Sequence, residues 1–267
     1  MSALPGPQTH LEEGPDGPLE VFATGQGEPV TVYAHGLAGS ITSTRPFATG
    51  VEGSSVFLHQ RGHGRSLAPA EGWDYGELAA DLRSVADRHG ASRAVGLSMG
   101  AGALTRVLAE TPDRFERVVL IIPAVIDHER EDAALRRMER MAGLVDAGDL
   151  DGLVAWLRED QPAAVRDTPA VQAFCEQQAR ALVGAGAGAA LRALPGAHPI
   201  EDRAVLADVR VPVLVIGQEE DDAHPAVVAR QLGEALGEAT VEILPPGGLV
   251  WAHRKRVREL VTGFLNA

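Results

Sequence analysis

Two runs of the chain, Val118-Val119-Leu120-Ile121-Ile122 and Val213-Leu214-Val215-Ile216, are apolar at every position. A strand with one face in water alternates polar and apolar residues, so a strand without a polar face must be covered on both sides. The β-branched residues in these runs also favour extended backbone. Strand-like runs occur at 19–23, 30–35, 55–59, 93–97, 117–122, 211–217 and 240–244. Helical patterns at 75–89, 99–110, 225–236 and 250–265 lie between or after them. This alternation predicts an α/β fold, a mostly parallel sheet covered by helices on both faces.

One interval breaks the rhythm. Residues 125–210 hold no convincing strand, but they contain amphipathic stretches at 129–145, 150–158 and 169–183. A structureless loop of that length does not suit a compact domain. The expected organisation is a core domain formed by 1–124 and 211–267, with a helical cap inserted at 125–210. The tract Gly184-Ala-Gly-Ala-Gly188 weakly matches a dinucleotide-binding loop. It follows no strand and sits within helical sequence, so it reads as a packing feature, and no cofactor is expected.

Charge narrows the partners. With 24 basic against 37 acidic residues, the net charge of −13 opposes binding to a phosphate backbone. The basic cluster Arg254, Lys255, Arg256 and Arg258 reads as the solvated face of a terminal helix. Cys175 stands alone, which leaves no intrachain disulfide and no CxxC metal site. His59 and His63 are spaced i, i+4, but the Arg61-Gly62 between them reads as a turn rather than a helix, so no metal site is expected. The sequence has no membrane-spanning apolar run, and its start lacks the basic and apolar regions of a secretory signal. The expectation is a cytoplasmic protein whose partner is a small-molecule substrate.

The sharpest chemical signal is Gly96-Leu97-Ser98-Met99-Gly100, which follows a buried strand and opens a helix rich in small residues. A serine on a tight strand-to-helix turn is exposed for attack, and the crowded turn requires residues without side chains two positions before and after it. The glycine-rich turn His35-Gly36-Leu37-Ala38-Gly39-Ser40 also follows a strand.

With these two segments the chain resembles the α/β-hydrolase superfamily over nearly its whole length. The resemblance implies Ser98 as nucleophile, with the backbone N–H groups of Leu37 and Met99 forming an oxyanion hole. The segment His59-Gln-Arg-Gly-His-Gly-Arg-Ser66 is similar to the family's D-x-R-G-x-G-x-S turn, with His59 in place of the Asp. The family's acid follows the strand after the cap, within Gln218-Glu-Glu-Asp-Asp-Ala-His-Pro225. Asp221 is the expected acid and Asp222 the alternative, with Glu219 and Glu220 behind them. His224, just before Pro225, is expected to be structural.

The family pattern would place the catalytic histidine directly after Gly247-Gly248, where this chain has Leu249. If the terminal helix begins there, His253 shares a face with Leu249 and leans toward the helix N-terminus. It would still lie about 6 Å further along the axis. His253 is therefore the expected base, with His35, His63 and His128 as the other candidates. The resemblance implies a serine hydrolase acting on a small ester, lactone or thioester through an acyl-enzyme. A perhydrolase or carbon–carbon bond hydrolase would use the same triad. Leu249 leaves open a different reading, an incomplete triad in a ligand-binding or non-hydrolytic protein. In the cap, Leu135, Met138, Met141 and Leu144 form an apolar stripe that either contacts an acyl group or packs the helices together.

Overall fold

The sheet can be built from the two-residue period of its strands. The computed structural model describes residues 8–69, 71–130, 133–185 and 187–267. Its strands are β1 (His10–Glu13), β2 (Pro18–Gly25), β3 (Val30–Ala34), β4 (Ser54–His59), β5 (Arg93–Leu97), β6 (Arg117–Ile121), β7 (Val213–Gln218) and β8 (Ala239–Leu244). They form one eight-stranded sheet of order β1-β2-β4-β3-β5-β6-β7-β8. The first two strands pair antiparallel, and all pairings from β4 to β8 are parallel.

The helices are α1 (Ile41–Thr44), α2 (Tyr75–Arg88), α3 (Met99–Glu110), α4 (Ala133–Asp146), α5 (Leu150–Glu159), α6 (Pro169–Ala185), α7 (Gly188–Ala193), α8 (Ala226–Leu236) and α9 (Arg254–Leu265). Alternate strand residues divide between two cores. Val32, Ala34, Ala94, Val118, Leu120, Val213 and Val215 face α2, α3 and α8. Tyr33, Val95, Val119, Ile121, Leu214 and Ile216 face α9 and the segment holding Ile41 and Phe47. Full burial of each large side chain contributes about 1.5–3 kcal/mol, so the central strands are held from both sides.

Between β6 and β7, helices α4 to α7 enclose a third core that includes Met141, Leu153, Val171, Cys175 and Leu191. The flanks of the interval behave differently: Val125, Ile126, Ile200, Leu206 and Val209 join the sheet's own core. Ala38, from the turn after β3, is buried in the helical core. Met141 of the apolar α4 stripe is buried there, with Met138 and Leu144 packed against it. The Gly-Ala tract bridges α6 and α7, and Gly186 within it lies outside the described residues. No helix among the described residues is long and apolar enough to cross a membrane.

The sequence pattern for the last helix does not hold at its start. A π-turn, Gly248–Ala252, follows β8, and α9 begins only at Arg254. Gly247 and Gly248 reach φ 135° and 82°, values that suit glycine. Leu249 points into the core at 7% exposure.

Glycine substitutions test the packing. A Cβ on Gly100 would lie 2.3 Å from the Ala34 carbonyl oxygen, whereas one on Gly143 meets nothing within 4 Å. Gly100→Ala should destabilise the protein by about 1–3 kcal/mol or prevent folding. Gly143→Ala, inside α4, should stabilise it by about 0.5–1 kcal/mol. Thermal denaturation of the two variants checks both signs.

Candidate active site

The sheet register gathers the relevant loops at one edge. Ala34 at the end of β3 lies opposite Gly96 of β5, and Leu97 lies opposite Ile121. Ser98 follows immediately, at φ 50° and ψ −108°, and its N–H donates to the Ile121 carbonyl at 2.9 Å. Such backbone strain costs on the order of 1–3 kcal/mol and persists only where the surroundings enforce it. The enforcement is steric, since a Cβ on Gly96 would sit 2.4 Å from the Gly100 oxygen. The turn therefore closes only with glycine at both positions.

Ser98 Oγ–H donates to His224 Nε2 at 2.8 Å. The other ring nitrogen of His224, Nδ1, lies 3.2 Å from each carboxylate oxygen of Asp221. Asp221 Oδ1 also accepts the N–H groups of Ala223 and His224, each at 3.0 Å. The acid thus orients its histidine within one short turn. Pro225 follows His224 and disfavours helical backbone there, which narrows the conformations open to the turn. Burial pushes the Asp221 carboxyl up, but the hydrogen bond and charge of His224 and the two amides outweigh it and hold the group below its ordinary value.

His253 does not reach Ser98, contrary to the sequence expectation. Its Nε2–H donates to the Pro246 carbonyl at 3.1 Å, and the residue caps α9. His224, expected to be structural, faces the serine instead. The available signal was a histidine three residues after a carboxylate and just before a proline, at the carboxyl end of a strand. Of the other acids in this loop, Glu219 pairs with Arg230. Glu220 and Asp222 line a cavity of about 550 Å³ with Arg137 and Trp156. His128 is exposed, with its Nδ1 3.0 Å from Asp127.

The turn after β3 brings Gly36 against the serine: a Cβ there would lie 3.1 Å from the Ser98 Cβ. It is closed by the Gly39 N–H donating to the Gly36 carbonyl at 2.8 Å. The Met99 amide is the first of α3, where N–H groups have no intrahelical acceptor.

His35 and His63 buttress this turn from below. His35 Nδ1–H donates to the Gly36 carbonyl at 2.8 Å, and its Nε2 accepts the Gln60 N–H at 3.1 Å. His63 Nδ1–H donates to the Arg61 carbonyl at 2.9 Å, and its Nε2 accepts the Ala38 N–H at 3.1 Å. Each ring therefore needs one bare nitrogen and must be neutral. Burial pushes His63 down to about 4, and burial with the neighbouring His63 and His59 rings holds His35 well below its ordinary value.

Arg61 anchors the same segment through two hydrogen bonds to Asp81, of 2.7 and 2.9 Å. Where the similar family turn has Asp, His59 bonds Glu20 of β2 at 2.8 Å. Burial pushes Glu20 up, but bonds from Thr9, Arg65 and His59 bring it down to about 2.

A mostly parallel sheet covered on both faces, with a strained serine after β5 and an acid–histidine pair after β7, defines the α/β-hydrolase class. The chain belongs to the α/β-fold hydrolases: the model of the serine aminopeptidase S33 family (Hydrolase_4) matches residues 26–246. A putative non-heme chloroperoxidase of Synechocystis sp. is 27% identical over 263 residues, covering 91% of this chain and 92% of that protein. Among solved structures, the enol-lactonase of Burkholderia xenovorans LB400 has a TM-score of 0.79 at 22% identity, covering 97% of this chain and 100% of its own. An esterase from Exiguobacterium antarcticum has a TM-score of 0.78 at 18% identity, with the same coverage. The bromoperoxidase of Bacillus anthracis scores 0.79 at 21% identity, again with 97% and 100% covered.

The neutral histidines give a pH test. Unfolded, a histidine takes up its proton near 6.5, but folded His63 does so only near 4. Between these values the unfolded chain binds more protons, so stability present above 6.5 is lost as the pH falls. The Tm should decline from pH 6.5 to 4, and the decline should be shallower in His63→Gln. An unchanged slope in that variant would show that His63 is not buried in neutral form.

Proposed function

We propose that the protein is a serine hydrolase that cleaves a small carboxylic ester, lactone or thioester through an acyl-enzyme. Ser98 is the nucleophile, His224 the general base and Asp221 the group that orients it. The observation that carries this reading is the continuous hydrogen-bond chain from Ser98 Oγ through both ring nitrogens of His224 to Asp221.

As Ser98 Oγ attacks the substrate carbonyl, its proton passes to His224 Nε2. The resulting imidazolium keeps its Nδ1–H on Asp221, whose ionised form compensates the new charge. The amides of Leu37 and Met99 receive the developing oxyanion, a contribution of about 3–4 kcal/mol per donor in comparable sites. His224 then returns the proton to the leaving alcohol or thiol. In the second half it takes a proton from water as water attacks the acyl-enzyme, then passes that proton to Ser98 Oγ as the acyl bond breaks and the acid leaves.

Leu249 motivated a reading with an incomplete triad. His224 supplies the base from another loop, which favours a working hydrolase. The helices α4 to α7 act as a cap that limits which substrates reach Ser98. The names of the chloroperoxidase and bromoperoxidase relatives favour one variation, in which hydrogen peroxide replaces water on the same acyl-enzyme and yields a peracid.

A fluorophosphonate probe should label the wild type at Ser98, and Ser98→Ala should abolish labelling. Ser98→Ala and His224→Ala should each lower kcat for p-nitrophenyl acetate by about 10⁴–10⁶. Asp221→Asn should lower it by about 10²–10⁴. His253→Ala should retain wild-type turnover. Loss of activity in His253→Ala alongside an active His224→Ala would reverse the assignment.

A further inference from the structure

The Ala38 peptide is held on three sides by groups that the proposed chemistry does not use. Its N–H donates to His63 Nε2 at 3.1 Å. Its carbonyl accepts Gln178 Nε2–H of α6 at 3.2 Å. Its methyl is buried among the α4–α7 residues, at 7% exposure. The residue itself has φ 62°, where glycine is the default and a Cβ costs energy. A glycine would remove the strain, but it would also remove the methyl that ties the turn to the helical core.

The Leu37 amide is one residue away, in a turn closed by the Gly36–Gly39 bond. A residue held at both its N–H and its C=O fixes the two peptide planes that flank it and allows its neighbour little freedom. One grip comes from the loop after β4 through His63 and the other from α6 through Gln178. A cavity of about 680 Å³ runs along the same contact, lined by Ala38, Gly39, His63, Phe174 and Gln178.

We propose that His63 and Gln178 are positioning residues: by clamping the backbone on both sides of the strained Ala38 they aim the Leu37 amide at the oxyanion, and Gln178 makes this alignment depend on where the α4–α7 helices sit. This rests on the serine-hydrolase reading above. Docking of α6 would then switch on transition-state stabilisation as well as enclose the substrate. His63 serves only while its Nε2 is bare, so its protonation would release the turn.

The test compares wild type, His63→Leu, His63→Gln, Gln178→Ala and Gln178→Glu in p-nitrophenyl acetate turnover and in inhibition by phenylboronic acid, which forms a tetrahedral oxyanion-like adduct on serine. Removing the acceptor in His63→Leu should lower kcat up to about 10²-fold, the scale of losing one oxyanion donor, with KM little changed. His63→Gln, which keeps an acceptor near Nε2, should recover much of that loss. Gln178→Ala and Gln178→Glu should lower kcat several-fold. In each variant the phenylboronate Ki should rise in step with the fall in kcat/KM. A residue that merely supports the fold would not link the two quantities.

If His63→Leu fails to fold, the half-buried Gln178 pair carries the same comparison. Variants that fold, label at Ser98 and keep wild-type kcat and phenylboronate affinity would overturn the clamp while leaving the hydrolase standing. A wild type that shows no Ser98-dependent labelling would overturn both.

Discussion

The site depends on one backbone constraint, the left-handed conformation of Ser98 between β5 and α3. A serine at φ 50° is tolerated only because the surrounding chain leaves no other path. Gly96 and Gly100 let strand and helix approach closely, and Gly100 itself packs on the Ala34 carbonyl. That contact joins the nucleophile turn to the end of β3, so the Gly36–Gly39 turn lies beside the serine. Acyl transfer needs the attacking hydroxyl and the oxyanion donors in fixed relation. Sheet register and missing Cβ atoms hold the Ser98 turn against the Gly36–Gly39 turn before any substrate arrives, which is what the proposed chemistry requires.

The proposed acid and base show a second economy. Asp221 and His224 lie three residues apart, and the same carboxylate oxygen accepts two amides of the turn and faces the imidazole. Orientation of the base therefore relies on a local turn rather than on two separate loops meeting. The loop after β8 is left free for another task. Leu249 fills the core, and Trp251 reaches the helical layer, donating to Gln161 Oε1 at 2.8 Å and packing edge-on against Phe174 at 5.6 Å. Together with the Gln178–Ala38 bond, this ties the α4–α7 helices to the sheet loops on two sides of the site.

Much of this architecture was legible in the residue pattern. Uninterrupted apolar strands such as 118–122 announced coverage on both faces, and the structure divides them residue by residue between two cores. The edge strand β1 carries no such mark: His10-Leu11-Glu12-Glu13 is short and polar, and it is defined by pairing with β2 rather than by burial. Ser98 was visible because its strained turn demands glycines at fixed positions. The sequence favoured His253 over His224 because its pattern read as a regular helix from Leu249 onward, where the backbone instead makes a π-turn over Gly248–Ala252. Periodicity cannot register one extra residue in a turn. The sign that did exist, Asp221 shortly before a histidine that precedes Pro225, is a local turn feature that carries no helical or strand period.

The central claim is that His224, and no other imidazole, exchanges a proton with Ser98. Titration of ¹⁵N-histidine-labelled protein by NMR, alongside the pH dependence of kcat/KM, tests it directly, because kcat/KM reports ionisation of the essential base in the free enzyme. The account predicts that the acid limb of the rate profile coincides with the titration of the His224 ring, assigned by its loss in His224→Gln. Coincidence with His253 instead, or a rate profile indifferent to the His224 titration, would contradict it.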